Sequence, residues 1–101
     1  MKDREGASVW IGLAHVIPTS RDVLEGEGAF VPAVGLADTE QAFFDIVCEA
    51  MRLHKFAVVE LADVELLGER RKHYSVEPQM IFLASQLSPT KRVGFGAYEV
   101  Y

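Results

Sequence analysis

The sequence predicts a single α+β domain, a two-layer sandwich with two helices on one face of a 4-5 stranded sheet. Two observations carry that expectation. The stretch from Gly28 to Leu67, GAFVPAVGLADTEQAFFDIVCEAMRLHKFAVVELADVELL, reads as an apolar strand, a capped amphipathic helix and a second apolar strand. Further on, Glu77-Pro78 opens a second helix, and the aromatic run VGFGAYEVY at 93–101 reads as a closing strand. A chain of 101 residues, half of them hydrophobic, is long enough for one core and too apolar for disorder.

In chain order, residues 1–7 are expected to be a frayed end. Ser8 to Ile17, SVWIGLAHVI, is the first strand, rich in Val, Ile and Trp. Both of its faces are apolar: Val9, Ile11, Leu13, His15 and Ile17 on one, Trp10, Gly12, Ala14 and Val16 on the other. Pro18 ends it, and Thr19 to Gly28 is a polar loop, long for a hairpin. Ala29 to Ala37 is the second strand. Pro32 has no N–H for the ladder, which predicts an edge strand or a bulge.

Asp38 and Thr39 are alternative N-caps for a helix running to about Leu53. Phe43, Ile46, Val47, Ala50, Met51 and His54 recur at helical spacing and form its buried stripe. Phe56 to Leu67 is the third strand, with a phase change that predicts a bulge near Ala62 and Asp63. Gly68 to His73 reads as a charged turn, Tyr74 to Val76 as a short strand, and Pro78 to about Gln86 as the second helix. Ser88-Pro89 stops that helix. Gly94 and Gly96 fall on one face of the last strand, so something packs close there: a helix backbone first, a ligand second. From Ala29 onward the order is ferredoxin-like, and the first strand is an N-terminal addition.

The net charge of −5 disfavours nucleic acid as a partner and leaves a protein partner open. No apolar run approaches the roughly 20 residues of a membrane span. The start MKDREG has no signal-peptide pattern, and Cys48 stands alone, so a cytoplasmic location is expected. The three histidines lie on different elements without ligand spacing, so neither a metal nor a cofactor is expected. His15, on an apolar strand, is the one candidate general base, although a structural histidine is the preferred reading. Trp10, His15, Gly94, Gly96 and Tyr98 are the residues from which a ligand pocket would be built. Cys48, beside the buried stripe, reads as inert packing.

GAFVPAVGLAD followed by a helix and VVELADVELL resembles a type of small bacterial α+β domain protein of uncharacterised function. Its motifs are structural and bring no catalytic residues. By fold analogy alone, some proteins of this size are immunity proteins that neutralise a toxin by binding it. Two functional readings follow. The first is a non-enzymatic protein-protein interaction domain, immunity-like or accessory, that self-associates as a homodimer because two apolar sheet faces need cover. The alternative is a cofactor-independent enzyme or ligand-binding protein similar to the dimeric α+β-barrel type.

Overall fold

Five strands and three helices make up the computed structural model, which describes residues 7–20 and 26–101. Residues 1–6 of the expected frayed end and the middle of the 19–28 loop lie outside the described residues. The strands are β1 (Ser8–Pro18), β2 (Ala29–Ala37), β3 (Phe56–Leu66), β4 (Val93–Phe95) and β5 (Glu99–Val100). The helices are α1 (Glu40–Leu53), α2 (Leu67–His73) and α3 (Pro78–Ser85). All strand pairs are antiparallel, in the order β3-β1-β2-β4, with β5 also on β2. The result is an α+β sandwich.

The first strand is central, not an addition. β2 and β3 each pair antiparallel with β1, so they run parallel to one another with β1 between them. That is a split β-α-β arrangement. Its middle slot is filled by the strand that precedes the unit. Residues 74–76, where a short strand was expected, form none.

Cross-strand register explains where the helices sit. Trp10 opposes Gly35, and Ala14 opposes Val31 and Leu61. This face carries the larger core, in which Phe43, Val47 and Met51 of α1 are fully buried against Ala14, Val16, Val31 and Ala33. The neighbouring residues point the other way. Ile11 and Val34 pair across β1 and β2 and join Leu67 and Met80 in a second core, under α2 and α3. Two helices on one face is therefore corrected: α1 covers one face, and α2 with α3 covers part of the other. The missed element is α2. It has seven residues and one buried side chain, Leu67, too little for a periodic signal. Arg70 braces it, its guanidinium donating to Glu65 Oε2 and to the Asp63 carbonyl, both at 2.5 Å.

Local chemistry sets the boundaries. Thr39 Oγ1 accepts from the Ala42 N–H at 3.0 Å and caps α1, as one of the two alternatives required. Asp63 has φ 55° where the β1-β3 register shifts, so the expected bulge is present. Pro32 is neither on an edge nor in a bulge. It sits opposite the gap between β4 and β5, and only its carbonyl is used, accepting from the Gly96 N–H at 2.8 Å. The closing strand breaks there because the central strand has no donor to offer.

Candidate functional site

The second sheet face is covered at one end only. Along β1, Ile11 is buried, Leu13 and His15 are half-buried and Ile17 is exposed. Along β2, Leu36 and Val34 are buried, Pro32 is half-buried and Phe30 is exposed. The α2-α3 cover thus ends near Leu13 and Pro32. Beyond it the sheet shows its side chains to solvent.

One row crosses this open part. His15 on β1 lies directly opposite Glu60 on β3 and Phe30 on β2, and Phe30 lies opposite Glu99 on β5. Directly opposed residues share a face. The row therefore reads Glu60, His15, Phe30, Glu99, with a carboxylate at each end. The His15 and Phe30 rings stack, centroids 4.7 Å apart at 22°. The Tyr101 ring leans over both at 5.6 Å, and its hydroxyl shares a 2.5 Å hydrogen bond with His15 Nε2.

Backbone bonds hold Tyr101 there. Its N–H donates to the Gly28 carbonyl and its carbonyl accepts from the Glu27 N–H, both at 3.0 Å. Two glycines make room. A Cβ on Gly28 would overlap the Tyr101 ring. Gly26 has φ +148°, a backbone region that side chains rarely adopt, and a Cβ there would come within 2.6 Å of Val100.

Phe30 is 38% exposed and Tyr101 52%, a large apolar area left in water beside charge. The ion pairs among the described residues join Arg52 to Glu49, Arg70 to Glu65 and Lys72 to Glu69, so Glu60 and Glu99 have no cation among the described residues. Chemically, the row offers two aromatic faces, an imidazole held by a phenol, and two exposed carboxylates.

The residues singled out for a pocket do not converge. Trp10 is on the α1 face, stacked on Phe43 at 6.5 Å and donating from Nε1 to the Ala37 carbonyl. Tyr98 packs against Phe56 and reaches Met51 Sδ, also on the α1 side. Burial raises the Tyr98 hydroxyl pKa. Gly94 and Gly96 lie by α3. A Cβ on Gly94 would make ordinary contact with Leu83, and one on Gly96 would press on Pro32 and Met80. The close neighbour there is a helix. Of the five, His15 alone belongs to the open row.

Compared with protein-family models, curated proteins and solved structures, the chain matches none. The geometry of the site stands by itself.

Cys48 lies on α1, across the sheet from His15, so the two form no catalytic pair. Burial, and then the nearby Asp45 carboxylate, push its thiol pKa up, which disfavours the reactive thiolate. Among the described residues no group of three His, Cys, Asp or Glu is arranged to hold a metal ion, and no helix is long and apolar enough to cross a membrane. Phe30, Tyr101, Glu60 and Glu99 were missed in the sequence. Each is ordinary in its own strand. The row exists only once the register is known.

Proposed function

We propose that this protein is a non-enzymatic interaction domain whose contact surface is the open half of the second sheet face. The observation that supports this is the exposed His15-Phe30-Tyr101 cluster. Aromatic rings left partly in water next to charge are typical of contact surfaces. Self-association has less support from the fold than from the two apolar faces of the first strand. The case for a homodimer assumed a wholly uncovered face, and α2 with α3 covers part of it. Two copies of the row laid along one another also bring Glu60 and Glu99 against carboxylates.

The reading is tested by separating stability from contact. Phe30→Thr keeps a strand-forming residue and removes the ring. Its stability in urea should fall by no more than about 1 kcal/mol, the size of the ring contacts alone. A loss above about 1 kcal/mol makes the ring structural and defeats the proposal. Light scattering at micromolar concentration decides the homodimer separately.

One observation favours the alternative of a cofactor-independent enzyme or ligand-binding protein: the His15-Tyr101 hydrogen bond, which resembles a general base held by a phenol. A specific small molecule that shifts the His15 ring resonances at micromolar concentration would move the assignment to that class.

A further inference from the structure

We infer that the row Glu60-His15-Phe30-Glu99 receives an extended, arginine-bearing segment of a partner protein. This rests on the interaction reading above and adds the chemistry of the partner. The first ground is charge. Both ends of the row are exposed carboxylates without a cation among the described residues, in a protein of net charge −5. Such a field draws in a basic partner and repels an acidic one.

The second ground is the filling between the carboxylates. A hydrophobic partner would need an apolar surface to its rim, and a lysine would need only the acids. Here two exposed rings, Phe30 and Tyr101, stand between the acids with the His15 imidazole stacked beneath. A guanidinium suits both parts. It lies flat on an aromatic face and makes paired hydrogen bonds to a carboxylate.

The third ground is spacing. Glu60 and Glu99 are three strand intervals apart, about 14 Å at roughly 4.8 Å per interval. An extended peptide advances about 13 Å in four residues, and residues four apart point the same way. A segment crossing the strands with arginines four positions apart sets one on each carboxylate and lays its middle over the rings. A second copy of this chain is the competing occupant. It brings its own acids to the same place.

The probe is a nine-residue Gly/Ser peptide with two arginines four positions apart. Controls replace both arginines with neutral citrulline or with glutamate. Binding is followed by NMR shifts of the full chain. The arginine peptide should move resonances of His15, Phe30 and Tyr101. Glu60→Gln with Glu99→Gln should weaken it at least tenfold without moving the urea midpoint, and raising salt from 50 to 200 mM should weaken it further. Equal binding of the citrulline or glutamate peptide at the same residues overturns the partner class but leaves the interaction surface standing. Shifts confined to other surfaces, or no binding at millimolar peptide, overturn the inference, while the Phe30→Thr stability test still judges the surface. Shifts of the row that grow with protein concentration alone assign it to a second copy and also overturn the inference.

Discussion

Gly35 is the position where one added carbon tests the packing of the whole α1 face. A Cβ built on Gly35 falls 2.6 Å from Phe43 Cδ1, 2.7 Å from Cε1 and 3.1 Å from Ile46 Cδ1. Ordinary contact begins at 3.4 Å, so the Phe43 ring must retreat by about 0.8 Å. It has nowhere easy to go. Phe43 is fully buried, and its ring is also stacked on Trp10. Overpacking of this kind costs about 1–3 kcal/mol. Alanine recovers about 0.4–1 kcal/mol by restricting the unfolded chain. The central values leave a net loss for Gly35→Ala of about 1.3 kcal/mol, a fall in Tm of about 5–10 °C for a domain of this size. Gly68 in α2 is the internal control. Nothing lies within 4 Å of a Cβ there, so Gly68→Ala should stabilise by about 0.5–1 kcal/mol. Urea unfolding followed by Trp10 fluorescence reads both. A Gly35→Ala protein as stable as its parent would refute the close approach of α1 to β2. Both variants shifting in one direction would show that chain entropy, not contact, governs these sites.

Three further outcomes are expected. Thr39→Ala should lose about 1 kcal/mol in the same assay, and Asp38→Ala much less, because Thr39 makes the cap bond. Tyr98 has a folded pKa above its unfolded value, so the folded state holds the proton longer. Its contribution is complete below the ordinary tyrosine pKa of about 10 and is lost as pH rises through the folded value. Tyr98→Phe should therefore shallow the alkaline loss of stability above about pH 10, and an unchanged slope would place Tyr98 in water. Cys48 should react with iodoacetamide at pH 7.5 more slowly than glutathione does, and Asp45→Asn should speed it slightly. A fast reaction would contradict the burial of the thiol.

Elements with strong local signals were legible in the sequence. The stripe Phe43, Val47, Met51 is the buried side of α1, the cap is Thr39, and the bulge is at Asp63. Each depends on neighbours within a few residues. What escaped depends on distant partners. The slot between β2 and β3 goes to β1 because of pairing over some forty residues, which no local pattern encodes. The apolar second face of β1 was read as a surface awaiting another chain. Part of it is met by Leu67, from α2, which is too short to announce itself, and by Met80, from α3, whose placement on this face no local pattern encodes. The row was hidden for the same reason. His15 drew notice as a polar residue in an apolar strand, but its companions come from three other strands and the segment after β5. Glycine was a misleading guide. Gly94 and Gly96 accommodate a helix, while Gly26 and Gly28, in the loop, make room for Val100 and for Tyr101 at the row.

The central place of β1 also decides how this molecule fails. β1 and β2 are neighbours in sequence, joined by the 19–28 loop, and come together early, whereas β3 must return to the far side of β1 after α1 has formed. Its ladder is the less regular of the two, broken by register shifts opposite Gly12 and again beside Val16. Local opening should therefore release β3 first. The edge it bares is SVWIGLAHVI, ten residues with no acidic or basic side chain except His15. That is a template for strand-to-strand growth, normally masked by a neighbour that carries two irregularities of its own. Fibril or precipitate formation should then follow the opening of β3, well before the melting temperature. A disulfide tying β3 to β1 should suppress it more than an equal gain in global stability placed in α3.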